Sequence, residues 1–164
     1  MTASAPRAGH DARRYFEYRH IVGFEETNLV GNVYFVNFLR WQGRCREMFL
    51  ESHCPEMLRR MDHGLALVTT RCACDYLSEL RPFDRVSIRM TLVEAAQNRV
   101  TMGYEYWRTG GAELEPRDES EPERLAARGE QQIALMERRE DGSMVPTPIP
   151  RELRDALQRY GAVG

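Results

Sequence analysis

The chain has 164 residues, 42% of them apolar and 29% charged, with a formal net charge of −2. That suits one ordinary domain with its own core and lacks the basic excess of a nucleic-acid surface. All 23 basic residues are arginine, so Schiff-base and lysine general-base chemistry are excluded and every long cation can only donate and attract.

Residues 1–14 are small, polar and without an apolar core of the secretory kind, so they read as a disordered tail on a cytoplasmic protein. No stretch is long and apolar enough for a bilayer. From Tyr15 to Phe24 the chain alternates, with Phe16, Tyr18, His20, Val22 and Phe24 on one face of a half-buried strand. Residues 32–52 read as the central helix. On a wheel of about 100° per residue, Tyr34, Phe35, Phe38, Leu39, Trp41, Cys45, Phe49 and Leu50 form one broad arc. Arg40, Arg44, Glu47 and Glu51 lie opposite. So wide an arc needs a curved sheet wrapped around it. Four more strands follow: Leu65 to Leu77, a run through Val86 and Leu92, a run through Val100 and Tyr106, and Leu125 to Arg138. The Gly-, Pro- and acid-rich stretch 110–123 reads as a flexible loop. Asp141-Gly142 marks a turn, three prolines bar regular structure after it, and Pro150 opens a last helix. The expected architecture is α+β: a five-stranded antiparallel sheet around one long helix, a single domain over 15–164.

Cys45, Cys54, Cys72 and Cys74 read as free thiols. Cys72 and Cys74 share one face of a strand, and no second Cys/His pair at finger spacing argues for metal. Gln42 and Arg46 interrupt the apolar arc of the helix. A guanidinium there is costly unless it snorkels, pairs with a buried carboxylate, or works on an anion or carbonyl. Just before the helix, Gly31 permits a turn and Asn32 is a good N-cap. Free N–H groups from about Val33 and Tyr34 then make either a merely capped helix or an oxyanion site.

The segment Asn28-Leu29-Val30-Gly31-Asn32-Val33 resembles the turn of 4-hydroxybenzoyl-CoA-type hotdog thioesterases, with Asn28 in place of the family aspartate and Asn32 in place of its histidine. The longer run from Phe24 through Asn37 to Glu47, with Arg71 to Tyr76 and Ala127 to Gln132, resembles the thioesterases of enediyne polyketide clusters. That resemblance implies the hotdog fold, with the sheet as bun and the helix as sausage. It also implies hydrolysis of a polyunsaturated β-ketoacyl thioester carried on the phosphopantetheine of a polyketide synthase carrier domain. The product is a β-keto acid able to decarboxylate to a polyene methyl ketone. No cofactor of its own is implied. Asn28 and Arg46 are the polar residues it singles out, and it implies a homodimer or a tetramer with the site between subunits. There Thr69 and Thr70 would approach the other subunit's Asn28 and Arg46.

An amide cannot be a general base. On this reading Asn28 orients water or the thioester carbonyl, the Val33 and Tyr34 amides hold the oxyanion, and Arg46 holds the β-keto oxygen. The activated thioester then needs no carboxylate base, although Glu25 or Glu26 is within chain reach and Glu47 points to the polar face. Gly31 and Asn32 shape the turn. Tyr34, Phe35, Phe38 and Leu39 line an acyl channel or simply fill the core. His20, His53 and His63 read as structural. Two alternatives remain: a general acyl-CoA thioesterase, and a non-catalytic acyl-binding hotdog protein.

Overall fold

The computed structural model describes residues 14–112 and 122–161. The tail 1–14 and the loop 110–123 lie, except at their edges, outside the described residues. The elements are β1 Phe16–Ile21, a single 3-10 turn Phe24–Glu26, α1 Val36–His53, α2 Pro55–Met61, β2 Leu65–Tyr76, β3 Arg85–Ala96, β4 Arg99–Gly110, β5 Arg124–Arg138, β6 Met144–Pro146 and α3 Arg151–Gln158. Every strand pairing is antiparallel, in the order β1-β3-β4-β5-β2, with β6 beside β5. The sheet therefore has six strands and not the five expected from the sequence. The extra one is three residues long and ends at Pro146, a place where a strand tolerates proline.

The concave face of the sheet is built by alternation. Val100, Met102, Tyr104 and Tyr106 of β4 are all buried, as are Val86, Ile88 and Met90 of β3. Onto them α1 lays Phe38, Trp41, Gln42, Cys45, Phe49 and Leu50, spaced at three and four residues. Phe38 is the hinge of this contact: its ring meets those of Trp41 and Tyr106 at 5.1 and 5.3 Å, and the Tyr106 hydroxyl donates to its carbonyl at 2.7 Å. At the other end the Phe16 ring packs edge to face with those of Phe49, His53 and Tyr160. There Leu92 N–H donates to the Tyr160 carbonyl at 3.1 Å, tying the C-terminal segment to β3.

The helix starts at Val36, four residues later than the sequence suggested. Residues 32–35 are diverted because they bond elsewhere: Thr27 and Val33 form an antiparallel bridge, and Val33 N–H donates to the Leu80 carbonyl at 2.8 Å. The arc of the wheel is correspondingly cut short, so Tyr34 and Phe35 are exposed and Leu39 only half-buried.

Candidate active site

Between Thr27 and Val33 the chain makes one tight turn. Asn28 N–H donates to the Asn32 carbonyl, Gly31 N–H to the Asn28 carbonyl, and Val30 N–H to the Asn28 side-chain Oδ1 at 3.1 Å. Gly31 holds φ +81°, which only glycine adopts without strain. The turn is fastened to the helix by Glu26. Its carbonyl accepts from Tyr34 N–H and Asn37 Nδ2, and its carboxylate accepts from Gly23 N–H, His20 Nε2 and Trp41 Nε1. Burial alone would push the Glu26 carboxyl up, but these bonds outweigh it and hold it below the usual carboxylate range. A carboxylate so engaged is a clamp and a poor base, which removes Glu26 as a base candidate. Glu25 is exposed.

A cavity of about 420 Å³ opens at the start of α1, bounded by Asn28, Asn32, Tyr34, Phe35, Phe38 and the segment 76–80. Val33 also borders it, so most of the residues picked from the sequence converge here; Leu39 is not among the lining residues. The Val33 and Tyr34 amides are not free: they donate to the Leu80 and Glu26 carbonyls at 2.8 Å each. The next two N–H groups, those of Phe35 and Val36, have no acceptor among the described residues, and Phe35 borders the cavity. Asn32 is likewise not the N-cap. Its Nδ2 donates to Glu79 at 3.0 Å, while Phe35 occupies the cap position.

Residues 22–157 match the model of the Thioesterase-like superfamily. The structure of the dynemicin thioesterase, whose crystal structures concern induced-fit and allosteric effects upon polyene binding, is 43% identical. It covers 92% of this chain and 99% of its own, at a TM-score of 0.81. The chain belongs to the Thioesterase-like superfamily. Two further thioesterases share the fold: a 1,4-dihydroxy-2-naphthoyl-CoA thioesterase from Synechocystis (21% identity, 88% and 96% coverage, TM-score 0.71) and a 4-hydroxybenzoyl-CoA thioesterase variant (13%, 88% and 99%, TM-score 0.73). No curated protein sequence matches.

As a hotdog thioesterase the chain is a thioester hydrolase. Tyr76 closes one wall, its hydroxyl donating to the Phe35 carbonyl at 3.0 Å. Burial pushes that phenol up to about 12, so it stays protonated, with its one proton given to the Phe35 carbonyl. Cys74 behind it is pushed by burial up to about 11 and is no nucleophile at neutral pH. Arg46 is elsewhere. Ten residues of α1 separate it from Val36, about 15 Å along a helix axis. Its Nη1 donates to Gln131 Oε1 at 2.8 Å and to Thr69 Oγ1 at 3.3 Å, with no described carboxylate bonded to it. The expectation that Arg46 stands beside the helix cap therefore fails within one chain. Thr69 thus meets Arg46 of its own chain, and Thr70 Oγ1 donates to Gln132 Oε1 at 2.9 Å.

Glu47 pairs with Arg44 at 3.1 Å on the solvent face. His20 serves the Glu26 clamp, His53 the aromatic cluster with Tyr160, and His63 Nδ1 donates to the Arg59 carbonyl at 2.9 Å. The residue that sequence reasoning missed is Glu79, which lines the cavity from the β2–β3 connection. That connection has no periodicity, and the one signal, its place just past the Tyr76 motif, carries no chemistry by itself.

Proposed function

We propose that this thioesterase releases a polyunsaturated β-ketoacyl chain from the phosphopantetheine arm of an iterative enediyne polyketide synthase carrier domain. The free β-keto acid then loses carbon dioxide to give a polyene methyl ketone. The observation that carries this reading is the 43% identity to the dynemicin thioesterase over nearly the whole of both chains. The site is compatible with it. A β-ketoacyl thioester has two carbonyl oxygens to hold, and the Phe35 and Val36 amides, Asn28 Nδ2 and a guanidinium are all donors. Hydrolysis consumes only water, so the reaction asks for no cofactor beyond the phosphopantetheine of the substrate.

Since Arg46 is remote from its own cap, it belongs on this reading to the cap of a second copy. It lies against β2, a twelve-residue strand at the sheet edge whose middle, Val68 to Cys72, is exposed. A long uncovered edge is a template for another strand. A second copy paired there would bring its own loops to Arg46, as a homodimer or within a tetramer.

The test is a pair of thioesters of equal length on a phosphopantetheine carrier, one β-keto and one saturated. Cleavage of the β-keto substrate alone is the expected result. Cleavage of both would mark a general acyl thioesterase, and cleavage of neither an acyl-binding protein.

A further inference from the structure

Glu26 is a charged side chain that the hydrolytic chemistry does not use. It is 13% exposed and absent from the lining of the cavity. Burying a carboxylate is expensive, and packing alone is served as well by a neutral side chain. Glu26 differs in that donors from separate elements engage both of its oxygens. Oε2 accepts from Gly23 N–H at 2.9 Å and His20 Nε2 at 2.8 Å, and Oε1 accepts from Trp41 Nε1 at 2.8 Å. His20 Nε2 also lies 3.0 Å from Oε1, so it carries its proton, and Nδ1 is left as the acceptor facing the Tyr18 hydroxyl at 3.5 Å. The backbone carbonyl of Glu26 takes Tyr34 N–H and Asn37 Nδ2, both at 2.8 Å. One residue thus joins β1, the 3-10 turn and the first two turns of α1. Both walls of the cavity trace back to it. On one side Thr27, the next residue, bridges to Val33, and Asn28 follows at the cavity. On the other side the buried Trp41 ring, backed by that of His20 at 4.8 Å, packs on Phe38 at 5.1 Å. Phe38 in turn meets the Tyr76 ring at 5.1 Å, and both line the cavity.

We propose that Glu26 is the positioning residue of this site, setting Asn28 on the turn against the Phe38–Tyr76 wall through Trp41 and the Thr27–Val33 bridge; this rests on the chain being a thioester hydrolase acting at this cavity. Glu26 touches no substrate and exchanges no proton. Its two oxygens hold two elements in one place, so a thioester carbonyl entering between them meets its donors already aligned. Such alignment is felt most in the transition state, where a displacement of about 1 Å caused far from the chemistry costs on the order of 10² in rate. The carboxylate is required because it accepts on both sides. A glutamine has one oxygen and one NH2, and in either orientation the NH2 is turned against Gly23 N–H or Trp41 Nε1–H.

Glu26→Gln therefore keeps the volume and breaks one end of the clamp. Against an acyl N-acetylcysteamine thioester that the parent cleaves, it is expected to lower kcat about 10- to 100-fold while KM stays within about two-fold. In proton NMR the Trp41 indole N–H, told from that of Trp107 by a Trp107→Phe variant, should lose the downfield shift of a carboxylate-bound proton. In the double variant with Asn28→Ala, the loss in kcat should be at least about three-fold smaller than the product of the two single losses, the coupling expected of residues acting through one turn. If Glu26→Gln does not fold, Trp41→Phe, which spares the carboxylate and removes only its bond to the α1 indole, should show the same fall in kcat at unchanged KM. A folded Glu26→Gln protein, or in its place a Trp41→Phe protein, with kcat within about two-fold of the parent overturns the proposal. So does a rise in KM at unchanged kcat, which belongs to plain substrate binding, and so does full additivity with Asn28→Ala, which belongs to general destabilisation. A parent protein inert toward every thioester would overturn the hydrolase reading instead, which separates the two failures.

Discussion

Asn28 spends its side-chain oxygen on Val30 N–H at 3.1 Å, so what it offers the cavity is the Nδ2 donor. Asn28→Asp keeps the acceptor that makes the turn and removes the donor. Turnover should therefore fall by the 10²–10³ typical of a lost oxyanion contact while circular dichroism and thermal midpoint stay put; an active Asn28→Asp protein would show that the donor is unused. Glu26 makes a different prediction. Its carboxyl is held low in the folded protein, against an ordinary value of 4.5, so its contribution to stability is complete above that value. The contribution drains away as pH falls through the depressed folded value. Urea titrations below about pH 4.5 should show stability dropping more steeply in the parent than in Glu26→Gln.

At the level of elements, α1 owes its seat on the sheet to one missing side chain. Gly129 of β5 lies where a Cβ would come within 2.2 Å of Gln42 Nε2. Gln42 is fully buried, donates to the Ala73 carbonyl of β2 at 3.0 Å, and thereby ties helix to edge strand. Gly129→Ala should cost about 1–3 kcal/mol by overpacking. Denaturant unfolding of the single and double variants should show that Gln42→Ala relieves much of it, a coupling expected of groups in contact. The helix and the strands themselves were legible, since periods of 3.6 and 2 are written in which residues are apolar. The start of α1 was not. Residues 32–35 have helix-like composition, and only the carbonyls of Leu80 and Glu26, brought in by the fold, pull their amides out of the helical ladder.

For the whole molecule, the separation of Arg46 from Val36 turns an oligomer into a kinetic experiment. If each site joins Asn28 of one copy to Arg46 of another, Asn28→Ala and Arg46→Ala proteins are both feeble alone. Refolded together at equal amounts, half of the dimers are mixed, and each mixed dimer holds one intact site. Activity should return to about a quarter of the parent's, the statistical share for a two-copy site. No recovery on mixing would place both residues' action within one chain, and light scattering on the same samples reports whether dimers formed.

The amino-acid sequence by itself determined the class of architecture, the turn at Gly31, the arginine set into an apolar face and the kinship with thioesterases. Each of these is a local pattern or a residue type at a fixed spacing, and local patterns survive without coordinates. Tertiary structure alone decided which backbone amides stay free, that Glu79 enters the cavity, and that Arg46 stands three turns from the cap it was meant to serve. Those depend on which carbonyl of a distant strand reaches a given N–H and on where a loop is carried by the sheet. Such long-range pairing is settled by the packing of the entire chain and leaves no period in the sequence.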